Sequence, residues 1–421
     1  MALQTSLFDI DNWREIGATL ARNKTRTFLT AFGIFWGTMM LSLLWGGSNG
    51  LEGLLMRNFA GLDTNMAGLF TSRTSKPYKG FNKARRWNLD QNDLDNIRSN
   101  VEDVDKATGV YQSWGQMSFG DKSSNGQIIG IEPDYLRMNS VILKSGRLIN
   151  ESDLAGSRKV AVIGDKVADQ IFPGIEYSDV AGRDISLRGV YYKIVGVAKQ
   201  IGEASVAGRI DDSALIPLST MRQVESGSGN RIDVILVSPK PGVKVKELLP
   251  RIRRQVYPIH SIHPADEEAL DCFDLSEIFE MVSNMFLGLT LLSIFVGFGS
   301  LMAGIIGVGN IMWIIVRERT HEIGIRRAIG ARPSSIIIQI LSESMVLTTI
   351  AGLAGIVFST IVLHIIDMAT AEPGLPACGF TLTFSNAMIV LATFMILGTA
   401  AGVLPAIKAM RIKPIEAIND K

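Results

Sequence analysis

The sequence predicts an α+β membrane protein, with four transmembrane helices and a large extracytoplasmic α+β domain between helices 1 and 2. The 421 residues are 47% hydrophobic and have a mean hydropathy of +0.23, although 20% are charged. The apolar residues are concentrated in runs that lack Asp, Glu, Lys and Arg, at 27–51, 281–316, 344–366 and 373–407. Between Glu52 and Glu280 the longest such run, 107–120, is too short to cross about 30 Å of hydrocarbon.

The N-terminal region predicts an interfacial helix followed by a membrane anchor. Within residues 1–26, apolar residues from Leu7 to Leu20 recur at helical spacing between charged ones, which favours a cytoplasmic helix lying in the membrane surface. A short soluble helix packed on another element is the alternative. Transmembrane helix 1 is expected at 27–49, because its apolar core exceeds the roughly 7–15 residues of a signal peptide.

Residues 50–280 predict the extracytoplasmic domain, with a smaller β-rich lobe at about 146–220. Segments rich in Val, Ile and Tyr between turn residues favour strands. The predicted strands are 127–131, 159–163, 185–187, 191–197, 214–217 and 232–237, and the predicted helices are 90–99, 165–171 and 245–256. The basic stretch 71–87 is interpreted as a solvated loop.

The C-terminal half predicts three further membrane helices. The uncharged run 281–316 would form a helix of roughly 54 Å, longer than a bilayer needs, so it is assigned as a stalk continuing into transmembrane helix 2. The remaining segments are a cytoplasmic loop at 317–332, helix 3 at 333–366, an outer loop at 367–383, helix 4 at 384–407 and a cytoplasmic tail at 408–421. Basic residues flank the inner ends, and the 367–383 loop contains acids without bases, so both termini are expected in the cytoplasm.

Small residues four apart predict close helix packing within the membrane, including packing across a dimer. These residues are Gly33 and Gly37 in helix 1, Gly299, Ala303 and Gly307 in helix 2, and Gly398 and Gly402 in helix 4. The alternative is that glycine is simply common in membrane helices. Apart from Glu343 and His364 the spans contain no ionisable side chain, so no ion relay is expected.

A search for catalytic and metal-binding motifs predicts none. The sequence contains no G-x-x-x-x-G-K-[ST], G-x-S-x-G or H-E-x-x-H pattern. His260 and His263 precede Asp266 and Cys272, but Pro258 and Pro264 favour a surface turn over a metal site. Cys272 and Cys378 are both expected outside, where they could pair, although free thiols are favoured. A net charge of +1 gives no reason to expect nucleic acid.

Two cytoplasmic motifs resemble those of MacB/FtsX-like ABC transporter permeases. The first covers Val316–Ala331, and the second covers Leu404–Ile418. The resemblance implies that the first motif contacts an ATPase through Glu318, Arg319, Glu322, Ile323, Gly324, Arg326, Arg327, Ala328, Gly330 and Ala331. The second motif is carried by Pro405, Ala406, Ala409, Pro414, Glu416 and Ala417. A Glu322–Arg326 ion pair could stiffen the loop and present Ile323, Ile325 and Ile329 to the partner.

The resemblance further implies a permease that couples ATP hydrolysis in a separate cytoplasmic ATPase to movement of a MacB-like periplasmic domain, for export of a small molecule or peptide. ATP and magnesium would lie in the ATPase, so this chain would bind no cofactor and would not be an enzyme. The other implied partners are a second permease copy or paralogue, membrane lipid, and an adaptor with an outer-membrane duct. The implied location is the bacterial inner membrane.

Three alternatives remain open. A lipoprotein-releasing permease shares the four-helix plan. A signalling module would instead act on a cell-wall hydrolase or a sensor kinase. A membrane-bound enzyme is disfavoured because no catalytic constellation occurs.

Overall fold

The computed structural model describes residues 24–225, 227, 229–318, 320–330 and 332–410, which form two compact units. The membrane unit contains the described residues up to Leu54, together with Asn284–Ala371 and the described residues from Ala377 onward. The α+β unit contains Leu55–Ser283 and Glu372–Pro376. Most of the predicted interfacial helix and the predicted cytoplasmic tail lie outside the described residues.

Four long apolar helices build the membrane unit, which confirms the predicted number of spans for the described part of the chain. Helices suit a bilayer because each peptide group is hydrogen-bonded within its own segment. Their bounds are α1 Lys24–Arg57, α9 Leu275–Glu318, α11 Pro333–Thr370 and α12 Phe384–Met410, and a short helix, α10 Thr320–Ala328, lies between α9 and α11. Helix α9 begins in the α+β unit, because its first residues, Leu275–Ser283, belong to that unit.

A mixed ten-stranded sheet organises the α+β unit. The strands are β1 Ala67–Thr71, β2 Leu89–Asp90, β3 Val104–Phe119, β4 Lys122–Ile131, β5 Val141–Gly146, β6 Val160–Gly164, β7 Asp184–Leu187, β8 Val190–Gln200, β9 Ser213–Pro217, β10 Arg231–Ile232, β11 Val234–Pro239 and β12 Leu270–Asp274. The sheet order is β12-β1-β11-β3-β4-β9-β6-β8-β5, with β7 paired to β3 and β8, whereas β2 and β10 form a separate pair. The β4–β9 and β6–β8 pairs are parallel.

Short helices cover this sheet and enclose its apolar side chains. They are α2 Gln91–Asn100, α3 Pro133–Met138, α4 Glu151–Ala155, α5 Asp165–Ile171, α6 Tyr177–Val180, α7 Leu218–Val224 and α8 Val245–Ile259. Capping boxes begin α2 and α4, where the first helical N–H groups are satisfied by Asp90 and Asn150. Buried side chains of α2 and α8, such as Leu94 and Leu248, pack in one cluster with β1 and β11.

The predicted α+β character is confirmed, but the smaller lobe predicted near 146–220 is not a separate sheet. The six predicted strands overlap β4, β6, β7, β8, β9 and β11, and the three predicted helices overlap α2, α5 and α8. Prediction missed β1, β2, β3, β5 and β12. The longest of these is β3, whose 16 residues pair with β11 in one half and with β4 in the other. This long strand joins both halves into one sheet.

Candidate functional site

The candidate site is the segment that connects α9 to α11 in the membrane unit. Its central element is α10, which follows directly on the end of α9 at Glu318. The hydroxyl of Thr320 donates to the carbonyl oxygens of Val316 at 3.1 Å and Arg317 at 2.9 Å. Bonds from a threonine hydroxyl to the carbonyls three and four residues back are characteristic of a residue in a helical segment.

The end of α10 is fixed by a glycine. The Ile329 N–H donates to Ile325 O at 3.0 Å, and the Gly330 N–H donates to Arg327 O at 3.1 Å. Gly330 has φ of +100°, a conformation that glycine adopts without the strain of a Cβ. Pro333 then starts α11 in the first helical turn, where its missing N–H costs no hydrogen bond.

The isoleucines of this segment do not all face outward, which corrects the sequence interpretation. Ile325 is 40% exposed and Ile329 is 82% exposed. Ile323 is buried and packs in a cluster with Val316 of α9 and Ile336 of α11. At 3.6 residues per turn, positions 325 and 329 share one helix face, whereas position 323 lies on the opposite one. Ile323 therefore attaches α10 to its own unit.

The other predicted contact residues divide between exposed, buried and undescribed positions. Glu318, Ala328 and Gly330 are exposed, Arg327 is half-buried, and Gly324 is buried. Glu322 and Arg326 belong to α10, but their side chains, and hence the predicted ion pair, lie outside what the structure describes, as do Arg319 and Ala331.

The second predicted motif is only partly described. Ala406 is fully buried and belongs to the same apolar cluster as Ile323. Pro405 and Ala409 belong to α12, but their side chains are outside the described set. Pro414, Glu416 and Ala417 also lie outside the described residues.

The predicted packing glycines of α1 and α12 contact neighbouring helices. A Cβ at Gly33 would lie 3.9 Å from Gly304, one at Gly37 would lie 3.2 Å from Phe394, and one at Gly398 would lie 2.6 Å from Thr348. Gly402 faces Leu341 and Ser344 of α11. By contrast, Ala303 is exposed, and Gly299 and Gly307 have no described neighbour within 4 Å of a Cβ.

The tightest helix approaches occur at glycines that the spacing argument missed. A Cβ on Gly355 of α11 would overlap the hydroxyl of Thr38 and lie 2.7 Å from the carbonyl oxygen of Phe35, both in α1. A Cβ on Gly53 of α1 would overlap the carbonyl of Cys378.

A charged cluster in the α+β unit joins residues that are distant in sequence. Carboxylate or imidazole atoms of Asp90, Asp93 and His260 all lie within 4.8 Å of one another. His260 Nε2 is 2.8 Å from Asp93 Oδ2, and both aspartates also form the capping box of α2. The two histidines that lie close together in the sequence have different partners in the structure. His260 contacts Asp93, whereas His263 packs on the ring of Tyr78. Helix α8 includes Pro258 but ends at Ile259, before both histidines, so no helix aligns them, as expected.

Comparison with known proteins finds two family matches. Residues 27–255 match the model of the MacB-like periplasmic core domain, and residues 294–414 match the model of the FtsX-like permease C-terminal domain. The chain is 27% identical over 410 residues to the macrolide export ATP-binding/permease protein MacB of Bdellovibrio bacteriovorus, covering 95% of this chain and 60% of the relative. It is 25% identical over 415 residues to the ABC transporter permease YknZ of Bacillus subtilis, covering 97% of this chain and 99% of YknZ. The chain thus spans about 60% of the length of its MacB relatives.

Solved structures also resemble the α+β unit. The periplasmic region of MacB from Actinobacillus actinomycetemcomitans is 20% identical with a TM-score of 0.43, and it covers 54% of this chain and 96% of its own. The extracellular domain of YknZ from Gram-positive bacteria is 15% identical with a TM-score of 0.40, and it covers 50% of this chain and 100% of its own.

Proposed function

The chain belongs to the MacB/FtsX-like family of ABC transporter permeases, and from this premise we propose that it is a permease subunit driven by a separate cytoplasmic ATPase. The ATPase would hold the ATP and magnesium, and this chain would transmit the resulting movement. The protein would lie in the bacterial inner membrane, with both termini in the cytoplasm.

The observation that carries this proposal is the exposed apolar pair on α10. Ile325 and Ile329 lie on one face of a short helix, and exposed Glu318 and Arg332 lie in the flanking segments. An exposed apolar patch rimmed by charged residues is typical of a protein-docking surface. Burial of Ile323 on the opposite face would make α10 move with the membrane unit when a partner pushes on it.

Helix α9 supports the second part of the proposal, mechanical transmission. It is one helix of 44 residues, longer than about 20 residues needed to span a bilayer. Its N-terminal residue Leu275 donates its N–H to Met66 O at 3.1 Å in the α+β unit. Near its other end, Val316 belongs to the same buried apolar cluster as Ile323 of α10. A displacement of α10 would therefore be passed to α9 through this shared cluster and the chain that joins them.

The proposed cargo is a small molecule or peptide exported from the periplasm, because the MacB relatives are named macrolide export proteins. Two permease chains would act together, either as two copies or with a paralogue. An adaptor and an outer-membrane duct would complete the export path.

The proposal is tested by placing a charge on the exposed α10 face. The chain is purified from its native membrane, recovery of a co-purifying ABC ATPase is measured, and the ATPase rate of the complex is measured in nanodiscs. Ile329→Asp should abolish recovery, because charging a central apolar contact costs about 2 kcal/mol or more, or about 30-fold in Kd. Glu322→Arg should also reduce the coupled ATPase rate.

Ser334→Asp is the matched control. Ser334 is also exposed, and it lies in the first turn of α11, where an acid is tolerated. This variant should retain the complex. Equal recovery and ATPase rates for Ile329→Asp and Ser334→Asp would contradict the proposed docking role of α10.

A further inference from the structure

The segment between β1 and β2, residues 72–88, carries an unusual concentration of positive charge, and we call it the basic loop. It contains three lysines and three arginines without any aspartate or glutamate. Five of these cations are exposed: Arg73, Lys76, Lys79, Lys83 and Arg86. The salt bridges found among the described residues involve none of the five. Exposed acids occur in the segment that anchors the loop, at Glu267, Glu268 and Asp271.

The basic loop is exposed, as expected from sequence, and it is also anchored to the rest of the α+β unit. The carboxylate of Asp266, fully buried, accepts from the Ser75 N–H at 2.8 Å, the Ser75 hydroxyl at 2.8 Å and the Lys76 N–H at 3.1 Å. The Trp87 indole donates to Ala269 O at 3.1 Å at the other end of the loop. Burial acts to raise the pKa of Asp266, but these hydrogen bonds outweigh it and the pKa is lowered.

The tip of the basic loop is a closed turn with a defined backbone. Tyr78 and Phe81 exchange backbone hydrogen bonds of 3.1 and 2.9 Å, and the two residues between them, Lys79 and Gly80, have φ of +46° and +84°. Positive φ at both central positions is characteristic of a type I′ turn. Ala84 also has positive φ, at +63°. Non-glycine residues held in this region cluster at ligand clamps and binding sites.

An aromatic side chain stands at the centre of these cations. Phe81 is 46% exposed, and the Arg85 guanidinium lies 4.3 Å from its ring centroid. Arg85 is itself held by the carbonyl of Ser261 at 3.1 Å. The exposed part of the Phe81 ring is therefore presented in a fixed orientation.

We infer that the basic loop is the docking surface for an acidic segment of a partner protein that carries apolar side chains. Protein interfaces combine aromatic and arginine anchors at the centre with a polar rim, and the Phe81–Arg85 pair on a loop with five exposed cations fits that arrangement. A preformed backbone reduces the entropy lost on binding. A polyanion such as a phosphate polymer would need the charges but neither the aromatic centre nor the fixed turn. The inference does not depend on α10 or on an ATPase.

The test measures binding of a fluorescent synthetic peptide of alternating glutamate and leucine to the full chain in neutral-lipid nanodiscs, without nucleotide or ATPase. The variant Lys79→Gln/Lys83→Gln/Arg86→Gln should lower the affinity about tenfold, and added salt should weaken wild-type binding. Phe81→Ser should also lower the affinity about tenfold, because it removes the apolar contact and leaves the charges.

The matched control is Lys122→Gln/Lys144→Gln/Lys159→Gln, which removes three exposed lysines outside the basic loop. It should bind the peptide as wild type does. Equal affinity of the loop variants and this control would overturn the inference. Binding of inorganic polyphosphate that displaces the peptide and is insensitive to Phe81→Ser would also overturn it, in favour of a charge-only polyanion surface.

Discussion

Replacement of Gly355 by alanine should destabilise the membrane unit, because α1 and α11 meet there through backbone atoms. The added Cβ would overlap the Thr38 hydroxyl, and it would lie 2.7 Å from Phe35 O and 3.1 Å from the amide nitrogen of Met39. The Thr38 hydroxyl is fixed by bonds of 3.0 Å to Ile34 O and 2.9 Å to Phe35 O. Rotation of Thr38 would relieve one overlap only, since the backbone atoms of α1 remain.

The expected change in the free energy of unfolding is the difference between two opposing effects. Overpacking a close contact typically costs about 1–3 kcal/mol. Alanine in a helix interior is favoured over glycine by about 1 kcal/mol, which partly offsets that cost. Gly299→Ala provides the matched control, because it has the same helix preference but no described neighbour within 4 Å of the added atom. The difference between the two variants should therefore be about 1–3 kcal/mol, with Gly355→Ala the less stable.

The assay is reversible unfolding by sodium dodecyl sulfate in lipid bicelles, followed by circular dichroism at dilutions where the chain is monomeric. Dilution matters because the face of Gly299 was predicted as a contact across a dimer. The reasoning is refuted if both variants have equal free energies of unfolding. Such a result would mean that α1 and α11 separate easily and that Gly355 marks no close approach.

Three further predictions concern the α+β unit. Asp266→Asn should release the basic loop and speed its cleavage by trypsin, whereas exposed Asp271→Asn should not, and equal cleavage rates would show that Asp266 is no anchor. Burial acts to raise the pKa of Asp153, but hydrogen bonds from an arginine and a helix cap lower it. Its stabilising contribution should therefore be present above pH about 4 and lost as pH falls through the lowered pKa; Asp153→Asn should flatten the acid limb of the stability profile. Burial raises the pKa of the Cys272 thiol to about 12, so alkylation by N-ethylmaleimide in a Cys378→Ser chain should be slow at pH 8 and rise with pH, and a pH-independent rate would contradict this.

The α+β strands show where sequence reasoning succeeds and fails. Segments such as 191–197 were predictable because they are rich in Val, Ile and Tyr, and this region lies within β8. Strand β3 was missed because it contains glycines and polar residues, including Gly109 and Gly115, that lack this signal. Its strand conformation comes from pairing with β11 and β4, which is a property of distant segments.

The candidate site was also only partly predictable from the sequence. The motif at 316–331 located the segment between α9 and α11, but it did not show which side chains face outward. Burial of Ile323 depends on the apolar cluster that α1, α9, α11 and α12 form with it, which exists only in the folded unit. The contact of His260 with Asp93 likewise joins α8 to α2 across 167 positions of sequence.

The sequence by itself determined the four membrane helices, the intervening α+β domain and the family motifs. These features depend on local composition, since a run of about 20 apolar residues must become a helix in lipid whatever surrounds it. The tertiary structure alone decided which glycines let helices touch, which isoleucines remain exposed and how the basic loop is held. Those outcomes depend on helix rotation and on contacts between distant segments, and neither is encoded in the spacing of residues along one segment.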